Sequence, residues 1–122
     1  MANYESYVER ESEAMPGVTL VIARMSFGRR LELMRRIREV AQKVEFLEAG
    51  SDARERMEAA VLTSEIDRLY VGWGVAEVRG LTVDGVAATP ESLITAGPED
   101  VFREALAAVK AECGLTEAER KN

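Results

Sequence analysis

The sequence predicts a mostly helical α+β fold. Its parts are a long antiparallel helical hairpin, a short N-terminal strand, a small β-hairpin and C-terminal helices. Two long stretches of helical periodicity, joined by a short connection after Gly50, predict the helical hairpin. Asp84 and Gly85 form a pair typical of tight β-turns, while Pro90 and Pro98 mark helix starts. With 122 residues, 47% of them apolar, the chain is long enough to bury a core.

The N-terminal segment differs from the rest of the chain. Residues 1–15 show no sustained periodicity and are rich in glutamate, so they are predicted to form a flexible acidic arm. Residues 16–122 are predicted to form a single α+β domain. Residues 18–25 are typical of a strand, and consecutive apolar residues within it suit burial on both faces or a place in an interface. We therefore expect the chain to form a homo-oligomer through this strand or the apolar edges around it.

The first long helix is predicted over residues 26–49, with Ser26 as its N-cap and Gly50 as its stop. Its apolar residues recur at three- and four-residue steps, which is typical of one buried helix face. The residues of this predicted face are Leu33, Met34, Ile37, Val40, Ala41, Val44 and Leu47.

The second long helix is predicted over residues 52–70, because Asp52 and Glu55 have the spacing of a capping box. Its predicted buried residues are Met57, Val61, Leu62, Ile66, Leu69 and Trp73. The short connection makes the two helices antiparallel neighbours, and we expect this hairpin to carry most of the stability. Trp73 lies between two glycines, where the helical pattern ends, and is either a core plug or an exposed anchor.

A β-hairpin is predicted within residues 75–88. Apolar and polar residues alternate there, and Asp84-Gly85 supplies the two positive-φ residues of a type I′ turn. Because an isolated two-stranded hairpin is marginally stable, it should pack on the helices or pair with the strand at residues 18–25.

Cap residues predict the C-terminal helices. Thr89 and Pro90 open a brief helix, and Gly97 with Pro98 opens another that ends near Glu112. The inward residues of the latter should be Phe102, Leu106 and Val109, with Gly114 as its stop. Thr116 and Glu119 form a further capping pattern, which predicts another helix start.

The residue types needed for common catalytic chemistry are missing. No histidine is present, which removes the commonest zinc ligand and the usual general base near neutral pH. Cys113 is the single cysteine, so it can build neither an internal disulfide nor a thiolate metal site. No phosphate loop, nucleophile elbow or Ca²⁺ loop can be matched. The sequence predicts a non-enzyme with no catalytic, cofactor-binding or metal-binding residues, although carboxylates distant in sequence stay open as an alternative.

Basic residues concentrate in the first long helix. Between Arg24 and Lys43 there are seven basic residues against two acidic ones. Either the acidic N-terminal arm or an acidic partner protein neutralises this cluster. The net charge of −6 and the lack of interleaved aromatic residues disfavour nucleic acid as the partner. The candidate partner-binding residues are Arg29, Arg30, Arg35, Arg36 and Trp73.

The sequence also bears on the compartment. The first residues are polar and acidic, so no signal peptide is predicted, and the apolar run at residues 18–23 is too short to span a bilayer. A single cysteine suits a reducing compartment. We expect a cytoplasmic protein without membrane association.

Several segments occur in an order that resembles one known family. They are Ser26-Phe27-Gly28-Arg29-Arg30-Leu31-Glu32-Leu33, Glu65-Ile66-Asp67-Arg68-Leu69-Tyr70, Trp73, Gly80-Leu81-Thr82-Val83-Asp84-Gly85, Thr89-Pro90-Glu91, Gly97-Pro98-Glu99 and residues 115–122. This order resembles the tail assembly chaperones encoded by long-tailed bacteriophages and prophages. The alternative is a small cytoplasmic interaction or regulatory module unrelated to phage tails.

The resemblance implies a protein without an active site that acts in the cytoplasm of a bacterial host. It implies transient binding to the tape measure protein, which stays soluble while tail tube subunits polymerise around it. It also implies a short form and a form extended by ribosomal frameshifting. Arg120-Lys121-Asn122 can be encoded by an A-rich run on which a ribosome slips, and the extension would recruit the tail tube protein.

Overall fold

Residues 1–114 are the part of the chain that this computed structural model describes, and they contain four helices and two antiparallel sheets. The predicted class, mostly helical α+β, is confirmed. In chain order the elements are β1 (Tyr7–Glu11), β2 (Thr19–Ala23), α1 (Phe27–Glu48), α2 (Ala53–Gly74), β3 (Val75–Arg79), β4 (Thr82–Val83), β5 (Val86–Ala87), α3 (Pro90–Ala96) and α4 (Glu99–Glu112). No helix in this part of the chain is long and apolar enough to cross a membrane.

The described residues divide into two compact units. The sheet unit contains residues 1–25 and 71–114, and the hairpin unit contains residues 26–70. The structure thus differs from the predicted division into an arm and one domain, because the N-terminal residues belong to the sheet unit and the long helices form a unit of their own.

The first sheet has the strand order β1-β2-β3 within residues 1–114, and both pairings are antiparallel. In the register, Val21 lies between Glu9 of β1 and Glu77 of β3. The prediction of a flexible arm over residues 1–15 is therefore wrong where the backbone of residues 7–11 forms β1. Of the two placements expected for residues 75–88, pairing with the strand at residues 18–25 is found for β3, which pairs with β2. The hairpin strands β4 and β5 form a separate two-stranded sheet, and β4 contacts α3.

Charges of the N-terminal segment are matched within the sheet unit. Arg79 in β3 forms ion pairs with Glu9 and with Glu77, whose Oε1 lies 3.1 Å from the Arg79 Nε. Hydrogen bonds to Glu77 and then to Glu9 raise the pKa of the Arg79 guanidinium. Arg10 lies 3.7 Å from Glu112 of α4. These side chains therefore hold β1 to its neighbours, and Glu9 is paired with β3 rather than with the basic helix.

Strand β2 is the centre of the core. Its residues 20–23 are all buried, which explains their consecutive apolar side chains. Helix α4 contacts β2, and α3 contacts both α4 and β3. The apolar core of the sheet unit includes Val18, Leu20, Val21, Ile22, Ala23, Val71, Val75, Val78, Leu93, Val101, Ala105, Leu106 and Val109.

This central position bears on self-association. Both edges of β2 are hydrogen-bonded to neighbouring strands, so the strand offers no open edge to a second copy. Self-association through β2 itself is therefore disfavoured, whereas the alternative route, through the apolar edges around this strand, stays a prediction. Whether the chain forms a homo-oligomer by another surface stays a prediction for sedimentation analysis.

The predicted turn and cap residues act as expected. Asp84 and Gly85 have φ values of 52° and 82°, as a type I′ turn requires, and connect β4 to β5. Thr89 and Ser92 form a capping box at the start of α3. Gly114 has a φ of 75° directly after the end of α4.

Helix α4 packs by the predicted face. Leu106 and Val109 are buried, Phe102 is half-buried, and two further residues, Val101 and Ala105, complete the buried face. The predicted capping pattern of Thr116 with Glu119, and the proposed frameshift site, lie outside the described residues.

Glu104 of α4 anchors the loop between β1 and β2. Its carboxylate accepts hydrogen bonds from the buried Ser12 hydroxyl and from the backbone amides of Glu13, at 2.8 Å, and Ala14, at 3.1 Å. The Ser12 Oγ in turn accepts from the Met15 amide at 2.9 Å. Burial alone would raise the pKa of Glu104, but the hydrogen bonds from Ser12 and the two amides lower it below its ordinary value of 4.5.

This lowered pKa predicts a pH-dependent stability. A group whose pKa is lower in the folded state contributes fully above its unfolded pKa and loses that contribution as pH falls through the folded pKa. We expect Glu104→Gln to lower the free energy of unfolding at neutral pH by about 1 kcal/mol, a modest value because solvent screens this carboxylate. Urea unfolding should show the gap to wild type closing below about pH 4.

The control for this experiment is Glu45→Gln, which makes the same change in net charge on an exposed side chain of α1. Its free energy of unfolding at neutral pH should stay within about 0.5 kcal/mol of the wild-type value. A gap between Glu104→Gln and wild type that is equally large at acidic pH would contradict the assigned role.

The helices of the hairpin unit begin as predicted. The Ser26 Oγ accepts from the Arg29 amide at 3.2 Å and caps α1. Before α2 the Asp52 Oδ1 accepts from the Arg54 amide at 2.9 Å, so Asp52 caps the helix but not through the predicted capping box with Glu55. Helix α1 ends at Glu48, close to the predicted boundary.

Helix α2 is longer than predicted and ends at Gly74 rather than at residue 70. Its last residues, from Val71 onward, belong to the sheet unit. A Cβ on Gly74 would lie 2.5 Å from a methyl carbon of Val109, so the missing side chain lets α2 and α4 approach closely. Gly74, the second of the two glycines that seemed to end the helix in the sequence, thus belongs to its packing.

Burial in the hairpin unit is lower than predicted. Among the residues predicted to be buried, Leu33 is buried, whereas Ile37, Ile66 and Leu69 are only half-buried. Three residues assigned to the buried faces, Met34, Met57 and Val61, are exposed. The buried apolar residues of this unit are Leu33, Val44 and Ala59. Most buried apolar residues belong to the sheet unit, so burial does not support the expectation that the hairpin carries most of the stability, and that expectation stays a prediction for unfolding experiments.

Candidate partner-binding surface

The hairpin unit exposes large apolar side chains on both helices. Phe27 is 81% exposed, Phe46 75% and Met57 71%. Leu31, Met34 and Val61 are exposed as well. Scattered exposed apolar residues are ordinary on protein surfaces, but six of them in a unit of 45 residues give its two helices extensive apolar surface. We call these six residues the exposed hairpin residues.

One cleft lies between the first half of α1 and Tyr70 of α2, the last residue of the hairpin unit. Its volume is about 430 Å³. Exposed Leu31 and Met34 contribute apolar surface, and Arg35 and Arg38 contribute positive charge. We call it the arginine cleft. Its lining residues are Leu31, Met34, Arg35, Ile37, Arg38 and Tyr70.

A second cleft lies between the later half of α1 and the first half of α2. Its volume is about 600 Å³, and we call it the phenylalanine cleft. Its lining residues include Glu39, Lys43, Phe46, Leu47, Glu58 and Leu62. Because the start of α1 meets the later part of α2, and the end of α1 meets the first part of α2, the helices run antiparallel, as predicted.

The four predicted arginines all lie on α1, but their surroundings differ. Arg29 is half-buried in the first turn, next to the exposed Arg30, and each has an interaction partner within the chain. Arg36 is exposed and its Nη2 lies 2.9 Å from the Glu32 carboxylate, one helical turn earlier. Arg35 lines the arginine cleft. Of the four, Arg35 thus lines a cleft together with the exposed apolar side chains of Leu31 and Met34.

Trp73, the fifth predicted residue, lies in the last turn of α2 within the sheet unit. It is half-buried, so its exposure lies between that expected for a core plug and that expected for an exposed anchor. It also has an interaction partner within the chain. The sequence-based set is therefore divided between the two units.

The residues that the sequence analysis missed are the exposed hairpin residues and Arg38. A signal for them was present, because Phe27, Leu31 and Met34 recur at four- and three-residue steps along one line of α1. That line is separate from the line through Leu33, Ile37, Val40 and Val44. A second apolar line on a helix indicates either a broader core or a surface for a partner, and burial decides between them.

The sheet unit has its own concave surface, with a volume of about 870 Å³, which is lined mainly by polar and charged side chains together with Val8, Val21 and Ala76. Its members Glu9, Glu77 and Arg79 are already bonded to one another. Residues 1–114 contain no group of three or more histidine, cysteine, aspartate or glutamate side chains that could hold a metal ion. Three of the charged side chains of this surface therefore pair with one another.

Comparisons with protein-family models, with curated proteins and with solved structures find no match for this chain. Function must therefore be inferred from the chain's own residues and geometry.

Proposed function

We propose that this protein is a non-enzymatic tail assembly chaperone that binds the tape measure protein of a long-tailed bacteriophage or prophage through its hairpin unit. The observation that carries the proposal is the exposure of large apolar side chains on two antiparallel helices. The order of sequence segments, which resembles tail assembly chaperones, supplies the identity of the partner. In this proposal the protein acts in the bacterial cytoplasm, and the tail tube protein is a further partner.

The physical argument concerns what an exposed apolar hairpin can do. A chaperone must cover apolar segments of its client, which otherwise associate with one another and aggregate. Two helices with open clefts can receive an amphipathic segment, because its apolar face is buried against theirs. The sheet unit contains most of the buried apolar residues, so the exposed hairpin residues are not needed for its core.

The test is co-expression with a tape measure fragment that is insoluble alone. We expect the wild-type chain to keep the fragment soluble and to co-purify with it. The hairpin variant combines Met34→Ser, Phe46→Ser and Met57→Ser, which remove exposed apolar groups from both helices. Recovery of soluble fragment should fall at least about fivefold, because contacts of this kind contribute on the order of 1 kcal/mol or more when buried in an interface.

A matched control combines Tyr4→Ser with Val86→Ser. These side chains are 63% and 69% exposed, and both belong to the sheet unit. The control should recover the fragment as well as wild type does. Equal recovery of the fragment by the hairpin variant and the control would show that the fragment does not bind through the exposed hairpin residues. Failure of the wild-type chain to bind any tape measure fragment would favour the alternative, an interaction module unrelated to phage tails.

A further inference from the structure

The arginine cleft combines apolar and basic side chains on one face of α1. Leu31, Met34, Arg35 and Arg38 are spaced at i, i+3, i+4 and i+7, so they follow one another along a single face. Leu31 is 41% exposed and Met34 59% exposed. The face therefore presents an apolar stripe with a positive border, and Tyr70 of α2 lines the cleft with them.

The two arginines of this border lack the partners that other arginines have. Within residues 1–114, neither Arg35 nor Arg38 makes an ion pair or a side-chain hydrogen bond. By contrast, Arg36, directly beside Arg35 in sequence, is bonded to Glu32 at 2.9 Å. The positive charge at the arginine cleft is thus available to a carboxylate from outside the described chain.

The phenylalanine cleft provides an internal comparison. Its charged side chains are Glu39, Glu58 and Lys43, so acidic groups outnumber basic ones. The arginine cleft is lined by basic groups and no acidic ones among its lining residues. The same hairpin therefore presents two apolar clefts with opposite charge, and a charged partner segment would distinguish between them.

We propose that the arginine cleft binds an amphipathic helical segment of a partner protein in which acidic residues border the apolar stripe. This inference deepens the proposed function, which makes the tape measure protein the partner. A third helix laid along two antiparallel helices buries its apolar stripe against Leu31 and Met34, and a methionine side chain adapts to different partner shapes. The planar guanidinium groups of Arg35 and Arg38 pair with carboxylates along the border.

The experiment measures binding of two synthetic helical peptides to the full chain by fluorescence anisotropy. Each peptide has about five helical turns and a stripe of leucines at three- and four-residue steps. Glutamates border the stripe in one peptide and lysines replace them in the other. We expect the glutamate peptide to bind at least about fivefold more tightly at low salt, with the preference shrinking at high salt.

Charge reversal in each cleft tests the location. The variant with Arg35→Glu and Arg38→Glu should lose or invert the preference for the glutamate peptide. The variant with Glu39→Lys and Glu58→Lys, in the phenylalanine cleft, should keep it. Equal affinities of the wild-type chain for both peptides, or an unchanged preference after reversal of the two arginines, would overturn the assignment. Circular dichroism must show that both variants retain wild-type helix content.

Further outcomes separate this inference from the proposed function. If the charge-reversed arginine variant still holds the tape measure fragment as well as wild type, the cleft assignment is wrong and the chaperone proposal stands. If the glutamate peptide binds as expected but no tape measure fragment binds, the cleft assignment stands and the chaperone proposal is wrong. The wild-type chain could also form a dimer that is lost in the charge-reversed arginine variant. That result would assign the cleft to a second copy of the chain and overturn the inference.

Discussion

Ile22→Ala should lower the free energy of unfolding by about 2–5 kcal/mol. Ile22 is fully buried in the central strand of the first sheet, where it lies opposite Val8 and Val75. Truncation removes apolar surface from the core and leaves a cavity that packed neighbours fill only partly. Urea unfolding, followed by circular dichroism, measures the loss.

The matched control is Ile37→Ala in α1. The chemical change is the same, but Ile37 is only half-buried and lies in a helix, where alanine has the higher propensity. We expect a loss below about 1.5 kcal/mol. A loss at Ile37 as large as that at Ile22 would show that the hairpin unit contributes a core comparable to that of the sheet unit.

Gly80→Ala should lower the free energy of unfolding by about 2–3 kcal/mol. Gly80 follows β3 with a φ of 78°, a left-handed conformation that costs an alanine about 1 kcal/mol. In addition, a Cβ at this position would lie 2.2 Å from the backbone oxygen of Gly17. That atom belongs to the backbone and cannot rotate away, so the loop before β2 would have to shift.

Gly85→Ala separates the two causes. Gly85 has a φ of 82°, but a Cβ there would have nothing within 4 Å. It should therefore lose only the conformational part, about 1 kcal/mol. Both losses can be measured by thermal or urea unfolding. A loss at Gly80 no larger than the loss at Gly85 would contradict the close approach between Gly80 and Gly17.

Features set by a few adjacent residues could be predicted from the sequence. Ser26, Thr89 and the Asp84-Gly85 pair act through hydrogen bonds or φ values within their own segments. The starts of α1 and α3 and the type of the β4–β5 turn follow from these residues. Their physical causes are local, so the sequence alone contains the information.

Features that depend on distant partners could not be predicted in the same way. Strand β1 has a highly charged sequence, and its pairing with β2 is accompanied by an ion pair between Glu9 and Arg79. The last turn of α2 extends beyond the predicted end and includes the close approach of Gly74 to Val109. In both cases a contact far along the chain overrides the local preference.

The candidate site was predicted in part. Counting charges identified α1 and included Arg35, but gave no means to separate it from Arg36, which is paired with Glu32. The apolar part of the site was assigned to the core, because periodicity shows that Met34 and Met57 share faces with other apolar residues but not whether a neighbour covers them. Only burial distinguishes a core face from a docking face.

The central claim is that the hairpin unit, with its exposed apolar surface, is where the tape measure protein binds. Hydrogen exchange of the full chain, alone and with a soluble tape measure fragment, tests it most directly. We predict that binding slows exchange in α1 and in residues 53–70 of α2 and leaves β1, β2 and β3 unchanged. Slower exchange confined to the sheet unit, with the hairpin unchanged in the presence of bound fragment, would contradict the claim.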